Sequence, residues 1–542
     1  MTADPVELSC QELVALVLAQ RSVIDQLHVE LTEQARSIRE LVVERDAVRA
    51  ELAALRLASG KDSSNSGKPP SSDSPFVRPR AKPSAFGIKS GRRPGKQAGD
   101  PSTRLRQVGE PDERVEVPAD RCECGTDLSG VPVESVTRRQ VFECAPPPPP
   151  TVTEYEIAVK ICPCCGARRI GPMPAHVAGR VRFAPAVKAR GVLLNLWHHV
   201  PFRRAAELMR ELVGVRISVG ALVGYRAEAA ARLAPFLEHV RVLLGLEPVL
   251  NVDETPSKAG GKLAYVHVAC SPKYTAMHVG GRTKQAIDAG AVLPGYTGAL
   301  VRDGYSGYLH FDQAAHVWCG AHTLRDIKLL HDADPKGQSG LAMMRDALLM
   351  MLRATHRAQN AGAVALGDAE TGFYRGCYHG AIHEIRADNA NRDDPIAQAA
   401  RTLATRFATH EAMILRFISD LAVPFANNRA EQEIRPVKIH QRAQGGAWRT
   451  LQGLAEFATI YSYLTTAAKH GIDLIKALTI LLEGHPWLPP LPAGTHLGLA
   501  HLSVMSREAV SRCLSSRRRA SSTRSMRCRS HVRRPASTHQ AR

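Results

Sequence analysis

The sequence has no run of eighteen apolar residues, and it does not begin with a basic segment followed by an apolar block. The first absence argues against a membrane-spanning helix, and the second argues against a secretory signal peptide. We therefore expect a cytoplasmic protein without a membrane partner. In that reducing compartment, the crowding of six of the twelve cysteines between Cys122 and Cys165 favours metal binding over disulfides.

Acidic residues are in deficit, with 52 Asp and Glu against 71 Lys and Arg, and the formal net charge is +19. Residues 61–106 hold eleven Lys and Arg against three Asp, a net of +8, and residues 506–542 hold eleven Arg against one Glu, a net of +10. Both segments lack periodic apolar residues, so we predict a basic disordered linker at 60–110 and a basic disordered tail at 488–542. Their contacts with phosphates would be sequence-blind and salt-sensitive. The alternatives are a solvated spacer for the linker and a frameshifted or read-through extension for the tail.

Residues 1–59 carry a heptad pattern that predicts a coiled coil. Polar residues interrupt the pattern at Gln20, Gln34 and Arg45, where they can fix the register of the two helices. We expect a homodimer or a higher oligomer, and the alternative is an amphipathic helix packed on its own domain. The seam positions are Leu13, Val17, Ile24, Leu27, Leu31, Ile38, Leu41, Val48, Leu52 and Leu55.

Two cysteine pairs lie in the segment 111–175. Cys162 and Cys165 form a Cys-x-x-Cys pair followed by Gly166, a spacing that lets two thiolates meet one tetrahedral Zn²⁺. Cys122 and Cys124 form a tighter Cys-x-Cys pair. We predict a small zinc-ribbon-like domain with these four ligands, and the alternative is a set of reduced structural cysteines.

The segment 176–246 has helical periodicity throughout. An amphipathic helix from Phe202 to Leu212 is followed by the breaker Gly214, and Ser218 can cap a further helix. This pattern predicts a helix-turn-helix-like DNA-binding domain, and the alternative is an ordinary helical hairpin. The basic side chains that favour DNA are Arg203, Arg204, Arg210 and Arg216.

Residues 247–487 begin with three strand-like runs, of which the first ends on the pair Asp253-Glu254. The next two, 263–270 and 274–279, complete a predicted β-meander. A further apolar strand, 298–303, ends on Asp303 before a Gly-Tyr-Ser-Gly turn. We therefore expect the carboxylates of Asp253 and Asp303 at exposed strand tips.

A third acid, Glu431, opens a polar helix and shares one face with Arg435. Two aspartates on strand ends and a glutamate on a helix suit a two-metal phosphoryl-transfer site, because hard divalent ions prefer carboxylate oxygens. The alternative for any one of them is an unremarkable surface acid, with Glu254 and Glu433 as weaker candidates. Beyond Glu431, a basic row of Arg435, Lys438 and Arg442 is expected to bind DNA phosphates or to form a solvated face.

The spacing of the three acids predicts an insertion. The interval from Asp253 to Asp303 is 50 residues, which suits a compact sheet, whereas 128 residues separate Asp303 from Glu431. A helical insertion at about 327–423 accounts for the difference. Before it, Cys319 and His322 are spaced like metal ligands but lack a second pair, so a strand leading into a helix is the simpler interpretation, with His322 and Arg325 at the rim of the site.

The strings NVDETP, VRDGYSGY, WCGAHTLRD, NNRAEQEIRPVK and EFATIYSYLTTAAKHG, in this order, resemble the DDE transposases of the insertion-sequence-66 type. The resemblance runs from about Leu8 to Trp487 and implies a ribonuclease-H-like core with Asp253, Asp303 and Glu431 as catalytic residues that hold Mg²⁺ or Mn²⁺. It also implies transposon ends and target DNA as partners. In one respect the chain departs from the family. The family usually has a Cys-x-x-Cys pair here, whereas this sequence has Cys122-x-Cys124, with Arg121 at the position where the first cysteine is expected.

We therefore expect an α/β multidomain protein in which a coiled coil, a zinc-ribbon-like segment and a helix-turn-helix-like domain precede a ribonuclease-H-like core with a helical insertion. The expected function is a transposase that binds transposon ends and catalyses metal-dependent DNA cleavage and strand transfer, with accessory proteins of the element as further partners and the nucleoid as its location when bound. The alternatives are a non-catalytic DNA-binding regulator and a metal-dependent nuclease that does not join strands.

Overall fold

A computed structural model describes residues 10–59, 105–144, 146–172, 177 and 179–492. The predicted linker and tail lie almost wholly outside the described residues. Contacts divide the chain into two units, 1–487 and 488–542, and every element below belongs to the first. Among the described helices, none combines the length and the apolar character that crossing a membrane requires.

The first element is a single long helix, α1, Cys10–Ser59. The predicted seam residues leave between 45% (Leu52) and 63% (Leu41) of their surface exposed. The seam is therefore not buried by the rest of the same chain. Its exposed apolar side chains favour self-association over packing on the same chain. The helix also contacts two helices of the core, α7 and α10, defined below, and Ala53 near its end is buried.

The cysteine-rich segment contains little regular structure. Two short strands, β1 (Val159–Ile161) and β2 (Arg168–Ile170), pair antiparallel. The turn between them carries Cys162 to Gly166, where the Gly166 N–H donates to the Cys162 carbonyl at 2.9 Å. Gly166 has φ +70°, a left-handed conformation that glycine adopts without strain.

Four helices precede the sheet. The helix-glycine-helix pattern is confirmed: Gly214 ends one helix in the left-handed region, with φ +72°, and the Ser218 hydroxyl accepts the Ala221 N–H at the start of the next. The helices are α2 (Pro185–Leu196), α3 (Phe202–Val213), α4 (Val219–Ala231) and α5 (Ala234–Gly245).

A five-stranded mixed sheet forms the centre of the unit, in the order β5-β4-β3-β6-β7. The predicted meander is confirmed, because β3, β4 and β5 pair antiparallel in sequence order, while β6 and β7 join the other side of β3 in parallel. A one-turn helix, α6, follows β5. The elements are β3 (Val249–Ala259), β4 (Lys262–Cys270), β5 (Thr275–Gly280), α6 (Lys284–Asp288), β6 (Ala299–Arg302) and β7 (Ala315–Trp318).

Six helices then separate β7 from the helix that carries Glu431. Their apolar side chains share one buried cluster with Val301 of β6 and Val317 of β7, so these helices extend the core on one face of the sheet. They are α7 (Gly320–Ala333), α8 (Ser339–Asn360), α9 (Asp368–Asp388), α10 (Pro395–Thr409), α11 (Glu411–Ile414) and α12 (Arg416–Ser419).

The last three helices are α13 (Asn428–Ala443), α14 (Leu451–Lys469) and α15 (Leu474–Glu483). The helix α14 is buried on nearly all sides between the sheet and α2, α4, α5 and α15. Its hydroxyls complete the sheet: the Met277 N–H donates to Ser462 Oγ at 2.9 Å and the Thr275 N–H donates to Thr466 Oγ1 at 3.1 Å. The outer edge of β5 is therefore covered rather than left as a free strand edge.

Candidate active site

Asp253 does not end its strand. The prediction of a carboxylate at an exposed strand tip is wrong for this residue, because β3 continues to Ala259 through its antiparallel pairing with β4. What ends near Asp253 is the parallel pairing with β6, whose last matched pair is Asn251 and Val301. The sheet therefore opens on one side at Asp253, and the carboxylate lies at that opening, largely out of solvent.

Asp303 lies at the same level on the neighbouring strand. It is two residues beyond Val301, as Asp253 is two residues beyond Asn251, and side chains two apart share one face of a sheet. The turn that follows is well ordered: the Tyr305 N–H donates to Asp303 Oδ1 at 2.9 Å. The buried Arg302 guanidinium donates to the Asp303 carbonyl at 2.8 Å and the Tyr305 carbonyl at 3.2 Å, which holds the chain in this turn.

The carboxylates repel one another. Burial raises the pKa of Asp253 well above its ordinary value, and the charges of Asp303, Glu254 and Glu431 raise it further, against a hydrogen bond from the Glu254 N–H. A shift in this direction means that burial and the neighbouring acids disfavour the charged form of Asp253 in the folded protein. A bound cation would relieve that repulsion, so the electrostatics of the cluster fit a divalent metal.

Glu431 is brought to the strands by the residue before its helix. Asn427 does not cap α13 with its side chain, and it bonds the sheet instead: its Nδ2 donates to the Val252 carbonyl at 2.8 Å, and its Oδ1 accepts from Asn251 Nδ2 at 2.9 Å. Its backbone N–H donates to Cys319 Sγ at 3.2 Å. These buried bonds tie the start of α13 to β3 next to Asp253 and to the end of β7.

His322 and Arg325, on the first turns of α7, lie beside Glu431. His322 Nδ1 is 3.9 Å from Glu431 Oε1, and Arg325 Nη2 is 3.8 Å from Glu431 Oε2. Gly320 permits this approach, because a Cβ there would lie 2.3 Å from the Phe425 ring just before α13. Both residues therefore join the site, as the sequence predicted for its rim.

Two buried atoms at this position have no partner among the described residues, Glu431 Oε1 and His322 Nδ1. Glu431 Oε1 is therefore an unbonded oxygen of the kind that divalent ions prefer, although among the described residues Asp253, Asp303 and Glu431 do not all bring an oxygen within 4.8 Å of one another. Cys319 Sγ also lies within 4.8 Å of the Glu431 and His322 groups. Burial raises the pKa of the Cys319 thiol to about 11, which disfavours the thiolate when no cation is bound.

The two weaker acidic candidates are already engaged. Glu254 receives hydrogen bonds from Arg282 and from the Tyr308 hydroxyl, and its side chain is only 3% exposed. Glu433 forms an ion pair with Lys469 at 2.7 Å. Each of these carboxylates is thus bonded directly to a cation, whereas Glu431 lies 3.8 Å from Arg325. The choice of Asp253, Asp303 and Glu431 as metal ligands stays a prediction.

The basic residues expected to bind DNA are mostly exposed. Arg435 and Arg442 lie on the outer side of α13, where the helix continues through Pro436, while Lys438 donates to the carbonyl of Pro256. In the helical segment, Arg204 and Arg216 are exposed, Arg203 is 3.6 Å from Glu207, and Arg210 is 2.7 Å from Glu211. DNA contact by these residues stays a prediction.

The four cysteines predicted to bind zinc remain as two separate pairs. Among residues 105–172, as far as they are described, no three metal-ligating groups approach within 4.8 Å of one another. A hydrogen bond with Thr126 lowers the pKa of Cys124 to about 7, and backbone hydrogen bonds from Cys165 and Cys164 lower that of Cys162. This arrangement does not assemble a four-thiolate site, and zinc binding stays a prediction.

Sequence reasoning missed the groups that support the acids, among them Asn427, Arg282 and Tyr308. No local pattern marks them, since each acts on a residue far away in sequence; Asn427, for example, bonds Asn251 across 176 positions. The one available signal was Asn427-Asn428 at a helix start, which predicts a cap rather than a link to the sheet.

Comparison with known proteins identifies a family for the chain and assigns no site residues. The family model described as "Transposase IS66 family" matches residues 180–455, which include all three acids, the sheet and the helices between β7 and α13. No curated protein gives a significant match. The matched range covers half of the 542 residues. The chain therefore belongs to the IS66 family of transposases.

Proposed function

We propose that the chain binds the ends of its transposon, cleaves them and joins the freed 3′-hydroxyl to target DNA. The observation that supports the proposal is geometric: Asp253 and Asp303 follow paired residues of adjoining strands, and the Asn427 hydrogen bonds tie the start of the Glu431 helix to β3 beside Asp253. We further propose a ribonuclease-H-like core: an antiparallel meander of three strands, two parallel strands beside its first strand, and a helix that returns the third acid to the sheet. The helices α8 to α12 form the insertion in that core.

The chemistry consists of two in-line displacements at phosphorus. In the first, water attacks the phosphodiester at the transposon end, and the P–O bond to the 3′-oxygen breaks to give a 3′-hydroxyl. In the second, that hydroxyl attacks a target phosphodiester, and the target 3′-oxygen leaves. Mg²⁺ or Mn²⁺ held by Asp253, Asp303 and Glu431 would activate the attacking oxygen and stabilise charge on the leaving one. No side chain serves as a nucleophile in either step.

The remaining residues position these three. The Arg302 turn fixes Asp303, and the Asn427 bonds fix the start of the Glu431 helix. The helices α2 to α5 would bind transposon ends, with Arg203, Arg204 and Arg216 on the phosphates, while Arg435, Lys438 and Arg442 would hold DNA beside the acids. The chain would do this in the cytoplasm, on the nucleoid, together with accessory proteins of the element.

One assay separates this function from its alternatives. Purified protein is incubated with a labelled transposon end, Mg²⁺ and a plasmid target. A transposase yields cleaved ends and joined products; a nuclease yields cleaved ends alone; a regulator shifts the labelled end in a gel without cutting it. The absence of joined products from both linear and supercoiled targets would remove strand transfer from the proposal.

We also predict that the α1 seam makes the protein dimeric. Leu41→Asp places a charge on the seam and should dissociate the dimer, because the apolar burial between the helices is lost. Val43→Asp, at a position off the seam that is 70% exposed, is the matched control and should leave the dimer intact. Light scattering of the two variants and of a protein lacking residues 1–59 measures the mass. A full dimer mass for Leu41→Asp and for the truncated protein would show that another surface holds the copies together.

A further inference from the structure

Arg282, in the loop after β5, is held in place by a buried carboxylate. Its Nε and Nη2 donate to Glu254 Oε1 at 3.1 and 2.9 Å, and the Tyr308 hydroxyl donates to the other oxygen, Glu254 Oε2, at 2.8 Å. The two sides of this ion pair differ in exposure: 3% for the Glu254 side chain and 45% for Arg282. The buried carboxylate, fixed from its other side by Tyr308, therefore sets the direction of a guanidinium that still reaches solvent.

Aromatic rings fix the guanidinium further. Arg282 Cζ lies 4.0 Å from the centre of the Tyr305 ring and 5.6 Å from that of Tyr265. The Tyr305 hydroxyl donates to the Arg282 carbonyl at 2.6 Å, so the main chain of the loop is tied to the same ring. A guanidinium held in this way loses little side-chain entropy when it forms a further contact.

Both anchors of Arg282 belong to the candidate active site. Glu254 directly follows Asp253, and its backbone N–H donates to Asp253 Oδ1 at 2.8 Å. Tyr305 stands two residues after Asp303, and its N–H donates to Asp303 Oδ1. The orientation of Arg282 is therefore coupled to the two aspartates, and its Nη1 has no partner among the described residues.

We propose that Arg282 binds a backbone phosphate of the DNA next to the bond that is cut. Three clustered carboxylates repel a polyanion, and a preorganised guanidinium with a free N–H is suited to hold one phosphate against that repulsion by a charge-assisted hydrogen bond. This inference rests on the proposed transposase function. It adds Arg282 to the basic row on α13 that the proposed function places on DNA.

The test uses full-length protein with Asp303→Asn as the background, so that DNA is bound without being cut. Binding of a duplex carrying the transposon end is measured as a function of salt for Arg282 and for Arg282→Gln. The loss of one phosphate contact should weaken binding about tenfold and reduce the slope of log K against log salt by about 1. The control Arg345→Gln removes a cation of similar exposure, 43%, from α8 and should change neither quantity to this extent.

A second measurement identifies the phosphate. Uncharged methylphosphonates are placed one at a time along both strands near the cleavage position. At one position, the methylphosphonate should weaken DNA binding by the protein that retains Arg282. The same methylphosphonate should not weaken DNA binding by the Arg282→Gln variant any further. If the two proteins respond alike at every position, or if Arg345→Gln lowers the slope equally, the proposal is wrong.

Thermal unfolding of Arg282→Gln shows whether the variant is folded. If Arg282→Gln is unfolded, Arg282→Lys, which keeps the charge but not the planar fork, is measured in the same methylphosphonate series, and an unchanged profile at full affinity overturns the role of the guanidinium. Failure of this inference differs from failure of the proposed function. In the first case wild-type protein still cuts the transposon end; in the second it does not.

Discussion

Asp303→Asn is expected to lower DNA cleavage at least about 10³-fold while leaving the affinity for transposon ends intact. The substitution keeps the shape of the side chain but removes a metal-binding charge, whose contribution of several kcal/mol to the transition state corresponds to this factor. The bond from the Tyr305 N–H to the remaining Oδ1 can persist, so the turn after β6 should stay ordered. Cleavage of a labelled end in Mg²⁺ measures the effect.

The same substitution has a second consequence for stability. Without divalent ions, Asp303→Asn should unfold at an equal or higher temperature than wild type, because it removes a charge that raises the pKa of Asp253. Adding Mg²⁺ should stabilise wild type more than the variant. Asp312→Asn, an exposed aspartate after the same turn, is the control and should cut DNA normally. Normal cleavage by Asp303→Asn would remove this residue from the catalytic set.

Glu456→Ala is expected to destabilise the protein by about 3–5 kcal/mol. Glu456 on α14 is 2.7 Å from Arg226 on α4, and the two side chains are 7% and 12% exposed. Removing the acid leaves a buried guanidinium without its partner, which is the costly way to break such a pair. The midpoint of unfolding in denaturant measures the effect. Glu483→Ala, an exposed acid on α15, should change stability by less than about 0.5 kcal/mol.

A double variant distinguishes two causes of the destabilisation: the lost attraction between Arg226 and Glu456, and the buried charge of Arg226 left without a partner. Replacing both residues, as Arg226→Met with Glu456→Leu, should recover most of the stability, because apolar groups of similar volume fill the site without a charge. Arg226 also lies over the Phe202 ring at 5.1 Å, a contact that methionine can partly replace. If the double variant is no more stable than Glu456→Ala, the pair is not the source of the effect.

The features that could be predicted from sequence are those with local causes. Gly214 and Ser218 mark a helix end and a helix start by their own backbone and side-chain chemistry, and both act as expected. The apolar, β-branched character of β4 and β5 is likewise a property of single strands, and the meander follows from their short connections.

The features that could not be predicted depend on partners distant in sequence. Asp253 lies within its strand because β4 continues to pair beyond the point where β6 stops, and the apolar run before Asp253 carries no information about either partner. The complete burial of α14 has the same origin: helices from an earlier segment cover the side that would otherwise face solvent. The amino-acid composition of α14 is compatible both with a helix buried on one side and with a helix buried on nearly all sides.

The link between Asn251 and Asn427 has a consequence for the order of folding. The two residues are 176 positions apart, and the bonds from β5 to α14 span still more of the chain, so the sheet can be closed only after nearly all of the core has left the ribosome. Until then the growing chain carries Asp253 and Asp303 without the third acid. On the proposed function, a polypeptide released early, by a stop codon or a protease before α13, would lack the third acid and would not nick DNA, which would confine cutting to completed molecules.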